Sequence, residues 1–276
     1  MRYLVLYLAM FSMLAVSCRA PKVAAVVPTP SHSGAQTQPS VPSLPANRTK
    51  AEAIAAGLDF LNKSRWEWDI VYLYSYLQPK FGWADLPMQA QNKAMSDSLR
   101  RIGDPPALRI LEQMELFQRL IDPAFRIERD RLQNAEEEDV FTLVALYCDV
   151  LKPDSATYFP VLRREMAAGD YRLTHGLLAC NWLEEQGCFT VAELGTLKRE
   201  LVQRNAELAK RIPEWIDLRI EAAALLAAAG ATTPEEWVST LIAAQQPDGG
   251  WQKDRYQSVS GAHPTILALW FLCEKD

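Results

Sequence analysis

The sequence predicts an all-α chain in which buried and exposed helices alternate as antiparallel hairpins and close into an α/α toroid. Three observations carry this expectation. From Thr49 onward apolar residues recur at helical spacing, and no stretch reads as a strand. The helices are of two kinds: "FTLVALYCDVL", "THGLLACNWLEE", "EAAALLAAAG" and "PTILALWFLC" are apolar nearly all round, whereas "AELGTLKRELVQRNAELAKR" and "RIERDRLQN" are charged along one side. A faint internal repeat links the apolar ones, since Leu177-Leu178-Ala179 followed by Trp182-Leu183 echoes Ile266-Leu267-Ala268 followed by Phe271-Leu272, with Leu143-Val144-Ala145-Leu146 as a third copy.

The elements follow in order. Thr49 and Glu52 form a capping box that opens "AEAIAAGLDFLNK". "WDIVYLYSYLQPKFGW" is a helix ended by Pro79 and Gly82, and "DLPMQAQNKAMSDSLRRIG" is one capped by Asp85 that stops near Gly103. "ALRILEQMELFQRLI" ends before Pro123. The acidic run "EEED" at 136–139 starts the next helix, where negative charge complements the macrodipole. "ATYFPVLRREMAAG" is broken or started near Pro160. Four more helical stretches run from Asp170 to Gln246, and "HPTILALWFLCEK" completes about eleven helices joined by short connections.

The chain ahead of this domain reads as an address. Residues 1–17 have one charge, Arg2, then an apolar run closing on small residues before Cys18, the order of a secretory signal. The run is short for a membrane span, which needs roughly 20 apolar residues. Leu14-Ala15-Val16-Ser17 resembles a bacterial lipoprotein box, which implies lipidation of Cys18 and a place in the bacterial cell envelope. Residues 18–48 then read as the lipidated cysteine and a Pro/Ser-rich disordered tether, and 49–276 as the folded domain. Removing residues 1–17 removes one positive charge and takes the net charge from −5 to −6. With no basic patch, nucleic acid is excluded as a partner. The cysteines at 148, 180 and 273 sit in apolar helical runs as small hydrophobes. An exported chain can still oxidise a pair, Cys180 and Cys188 being nearest in sequence. No pair has metal-site spacing, and neither metal nor cofactor is expected.

"LIAAQQPDGGWQK" at 241–253 joins a helix end to a tight turn and a tryptophan. Gln245 can cap carbonyls or amides at the helix end, Gly249 and Gly250 allow left-handed backbone, and Trp251 can stack back over the turn. Leu241, Gln245, Gly249 and Trp251 resemble the repeat of the terpenoid cyclase and protein prenyltransferase superfamily, which implies an α/α toroid. The resemblance covers about residues 233–273. The D-x-D-D cluster of the cyclases and the D-x-C zinc arrangement of the prenyltransferases are both missing, so the resemblance implies architecture without chemistry.

Candidate site residues are few. His175 and His263 stand at starts of apolar helices, where a toroid has its mouth. With Tyr171 and Asp170, or with Asp248, they can supply acid–base groups. Asp69 is a further candidate carboxylate. Trp66, Trp68, Tyr72 and Tyr76 form an aromatic group suited to sugar rings or isoprenoid-like chains, with core packing as the competing explanation. Two function classes stay open: an envelope binding or scaffold lipoprotein with a carbohydrate, lipid-like or protein partner, and a lyase or hydrolase on polysaccharide, peptidoglycan or a lipid-like substrate. A cavity holding His175 and His263 within one substrate length, with a carboxylate between them, would favour the enzyme; without it the binding or scaffold role is expected.

Overall fold

The structure, a computed structural model, describes residues 48–275 apart from 65–67, 129–130, 133–139 and 257–258. The leader, Cys18, nearly all of the tether, Trp66 and the acidic run at 136–139 lie outside the described residues. Among the described residues the chain is all-α: twelve α-helices, a single 3₁₀ turn, and two strands of two residues each.

Helix α1 (Lys50–Lys63) starts at the Thr49 capping box, in which Thr49 N donates to Glu52 Oε2 (2.8 Å) and Glu52 N to Thr49 Oγ1 (3.3 Å). Arg48, assigned above to the tether, bonds Gln245 and so belongs to the fold. Helix α2 (Trp68–Phe81) runs through Pro79 and stops at Gly82, whose φ is +65°. The proline removes one late hydrogen bond and does not end the helix. Helix α3 (Pro87–Ile102) is capped by Leu86 and not Asp85; Leu86 N donates to Gln89 Oε1 at 3.1 Å, and Pro87 supplies a pre-set first turn. Helix α4 (Pro105–Leu116) follows on the Asp104 cap.

Short helices α5 (Val140–Leu146) and α6 (Cys148–Leu151) are separated at Tyr147. Helix α7 (Ser155–Ala167) contains Pro160 where a break or start was expected; only an exposed turn loses a bond. Then come α8 (Asp170–Glu185), α9 (Val191–Arg211), α10 (Asp217–Ala228), α11 (Glu236–Ala243), the β1–β2 hairpin (Trp251–Gln252 with Ser260–Gly261) and α12 (Ala262–Cys273).

Helices α5, α8, α10 and α12 are neighbours in that order and bury nearly every side chain, from Phe141 to Leu146, Leu177 to Leu183, Ile220 to Ala227 and Pro264 to Leu272. Helix α9 covers the seam between α8 and α10 with its Leu194, Leu197, Leu201 and Leu208 stripe, and keeps its charges outward. The last helix returns to the first two, since α12 packs on both α1 and α2. Lys50 Nζ reaches the carbonyls of Leu272 (3.4 Å) and Lys275 (3.3 Å), so the two ends of the folded chain meet.

One disulfide joins Cys148 to Cys188, tying the start of α6 to the turn after α8. This corrects the nearest-in-sequence pairing of Cys180 with Cys188. Cys180 is buried on the inner face of α8, where burial pushes its thiol up to about 12.

Candidate functional site

The first two turns of α8 and α10 and the first turn of α12 bring Tyr171, Thr174, His175, Asp217, Glu221 and His263 together. Asp217 and Glu221 are one turn apart on α10 and share a face, as do Tyr171 and His175 on α8. Asp217 accepts two hydrogen bonds, from the Tyr171 hydroxyl (Oδ2, 2.8 Å) and from His263 Nδ1 (Oδ1, 2.7 Å). Its own backbone N–H donates to the Lys253 carbonyl at 3.2 Å, which fastens the β1–β2 turn to the cluster. Glu221 Oε1 lies against Thr174 Oγ1 and 3.6 Å from His175 Nε2. Thr174 has one hydroxyl proton, and the Tyr171 carbonyl at 2.8 Å can only accept. A protonated Glu221 therefore satisfies both contacts. Glu221 is 3% exposed, and its Oε2 has no hydrogen-bond partner among the described residues.

Burial holds the Glu221 carboxyl above the usual carboxylate range, against the pull of His175 and His263. Burial opposes charge on His263 too, but the hydrogen bond and charge of Asp217, with Glu221 and Asp69 beyond, outweigh it and raise that imidazole to about 9. Burial and then Asp217 push the Tyr171 phenol upward. The cluster thus sets an imidazolium against Asp217 beside a Glu221 carboxyl that burial holds above its usual range. Asp69, in the first turn of α2, lies near enough to act on His263. Asp217 and Asp69 stand in the first turns of α10 and α2, at the positive ends of those helices.

Tyr171 is partnered by Asp217 and not by the adjacent Asp170. Asp248 serves the turn, accepting from Gly250 N (3.0 Å) and Ser260 Oγ (2.7 Å). Asp217 and Glu221 were not singled out by sequence. The signal was there: two acids four residues apart at the head of "EAAALLAAAG", a run otherwise built for burial.

Comparison of the chain with known protein families, with curated proteins and with solved structures gives no match in any of the three.

The QQPDGGW turn holds elements together through contacts of its own. Gln245 donates to the carbonyls of Ala53 (2.8 Å) and Gly249 (2.7 Å) while its Oε1 accepts from Arg48. Trp251 is fully buried; its Nε1 donates to Leu241 O (2.8 Å) and its N to Thr265 Oγ1 (3.0 Å). Only Gly249 has left-handed backbone, with φ +94°, and a Cβ there would sit 2.4 Å from Ala56 O. Gly250 does not, and is small for another reason: a Cβ would meet Ser260 Cβ at 2.5 Å.

The aromatic group does not gather into a wall. Tyr72 is buried against Phe117. Tyr76 donates to Glu185 and packs edge-on against Trp182 and Trp270, at the C-terminal ends of α8 and α12. Residues 171 and 185 are fourteen apart on α8, so Tyr76 lies about 20 Å from the polar cluster. Trp68 begins α2, and Trp66 is outside the described residues. Two cavities, of about 530 and 300 Å³, lie along α9 beside Val191, Lys198 and Val202 and beside Ala206, Lys210 and Trp237; neither is lined by a cluster residue. Among the described residues no three His, Cys, Asp or Glu side chains are arranged to hold a metal ion.

Proposed function

We propose that the chain is a cell-envelope lipoprotein whose helical domain is an α/α toroid, and that the Tyr171–Asp217–His263 relay with Glu221 and His175 is an acid–base site of a hydrolase or lyase. The observation that carries this is the pair of adjacent carboxyls in unlike surroundings, Asp217 bonded to both His263 and Tyr171, and Glu221 buried against Thr174 with one oxygen unpartnered among the described residues. Such divergent environments are how one site supplies both an acid and a base near neutral pH. Glu221 is the proton donor, His175 beside it is the partner that accepts or returns a proton, and Tyr171 is oriented by Asp217.

Return of the last helix to the first two, and the run of neighbouring buried helices, support the toroid. The disulfide supports an oxidising compartment and hence export. Polysaccharide, peptidoglycan and lipid-like molecules remain the substrate classes. Cyclase or prenyltransferase chemistry is not part of the proposal, because the residues that carry it are missing from the sequence. A second reading, a recognition domain without turnover, rests on the two cavities beside α9, which lie apart from the cluster.

The test is product release from envelope polymers by the full chain, beside Glu221→Gln and His263→Ala. Loss of about 10²-fold or more in Glu221→Gln, with an unchanged melt, supports catalysis. Binding that survives in all three proteins without any product leaves the recognition domain.

A further inference from the structure

The Cys148–Cys188 bond joins two segments that other contacts already hold face to face. Arg119, in the 3₁₀ turn Gln118–Leu120, spans the same two segments. Its guanidinium donates to Asp149, the residue after Cys148, and to Gln186 Oε1 (3.0 Å), two residues before Cys188. It also lies 5.5 Å from the centre of the Tyr147 ring. Arg119 is itself buried, and its turn packs on α2 and α4. On the far side of the bond, Phe189 sets its ring against Phe159 of α7 (5.1 Å between centres), and Cys188 N donates to Leu183 O at 3.1 Å. The two sulfur-bearing residues differ in access: Cys148 is 1% exposed, whereas Cys188 is half-buried next to the exposed Gly187.

We infer that Cys148–Cys188 is a reversible thiol-exchange site, entered at Cys188, that opens and closes while the domain stays folded, and that Arg119 is the residue positioning its two halves. It stands independently of the acid–base cluster. An incoming thiolate attacks Cys188 Sγ and bonds to it; the Cys148–Cys188 bond breaks, and the electron pair leaves on Cys148 Sγ, which takes up a proton. A second thiolate then attacks the incoming sulfur and releases Cys188, which is protonated in turn. In sum, two small thiols are oxidised to one disulfide and the protein disulfide is reduced to two thiols. Access sets the order, because exchange starts at the sulfur that a nucleophile can reach. The clamp sets the equilibrium. Segments held by the bond alone would drift apart on reduction. Here Arg119 and the Phe159–Phe189 contact keep residues 147–149 and 186–189 in place, so the two thiols stay at a high effective concentration. Clamp and bond tie the same segments, so each strengthens the other and the loss of one weakens the second. Removing the guanidinium strands no buried charge: the Asp149 side chain is 33% exposed and keeps Arg126 Nε at 3.6 Å.

The test equilibrates the full chain in buffers of reduced and oxidised glutathione, alkylates it, and maps each cysteine by peptide mass, with circular dichroism on every sample. The wild type is expected to pass reversibly between bonded and dithiol forms, to melt cooperatively in both, and to carry its mixed disulfide on Cys188. Arg119→Met should cut the effective concentration of the thiol pair by at least about ten-fold. Gln186→Leu removes one arm of the clamp and should cut it by less. Cys188 in Cys148→Ser should take up glutathione at least about ten-fold faster than Cys148 does in Cys188→Ser. Three results overturn the inference: a reduced wild type without a cooperative melt, an Arg119→Met chain with the wild-type effective concentration, or glutathione found first on Cys148. If Arg119→Met does not fold, Gln186→Leu decides in its place, and a value equal to the wild type overturns the clamp.

Discussion

His263 and Glu221 make stability depend on pH in a direction that follows from their surroundings. The folded imidazole titrates near 9, whereas an unfolded one titrates near 6.5. Its contribution is full below pH 6.5 and lost as pH rises through 9, because over that window the folded state holds a proton that the unfolded state has released. Glu221, also raised, acts in the same direction from the ordinary glutamate range upward. The melting temperature should therefore fall between pH 6.5 and 9, and His263→Gln should flatten that fall; a fall of equal depth in the variant would contradict the assignment. At neutral pH His263→Ala leaves one buried Asp217 oxygen unsatisfied, a loss of about 1–3 kcal/mol. Trp251→Ala removes a fully buried ring bonded to Leu241 and should lower stability by about 3–5 kcal/mol. Thermal melts of the two should rank in that order. The histidines and Tyr171 could be picked from sequence because they are rare residues at helix starts. Asp217 and Glu221 carried a local signal as acids heading a run built for burial, but their partners follow from the packing of α8, α10 and α12, which no local pattern encodes.

At the scale of elements, most helices were legible because their boundaries are written in local chemistry. The Thr49 box starts α1. The errors fell where a rule has two outcomes. Pro79 and Pro160 read as breaks, but each helix tolerates its proline at an exposed position. Asp85 read as a cap one residue away from Leu86. The disulfide was not legible for a different reason: sequence distance says nothing about which turns fold against each other. Cys148 and Cys188 close a loop of separation 40, so reduction, or Cys188→Ser, should lower stability by about 4 kcal/mol. Cys180→Ser should not reproduce the loss of a cross-link. Gly249→Ala should be among the most damaging single changes in the turn, because it meets both a positive φ and the Ala56 carbonyl. Thermal melts under reducing and non-reducing conditions check the first, and a soluble-yield and melt comparison with Gly250→Ala checks the second.

The molecule as a whole hangs together through its last helix. Deleting residues 247–276 removes nine consecutive buried residues, Pro264 to Leu272, and uncovers α1, α2 and α10. A domain with only about 5–15 kcal/mol in hand should then lose its cooperative transition, seen by far-ultraviolet circular dichroism. Trimming residues 19–47 should leave the melt unchanged, while a cut that also takes Arg48 should lower it by removing the guanidinium from Gln245. The meeting of Lys50 with Leu272 and Lys275 also gives the molecule a polarity. That junction is at the C-terminal end of α12, and His263 is at the other end, nine residues or about 14 Å along the axis. The chain thus enters and leaves at one pole and offers its titratable groups at the other.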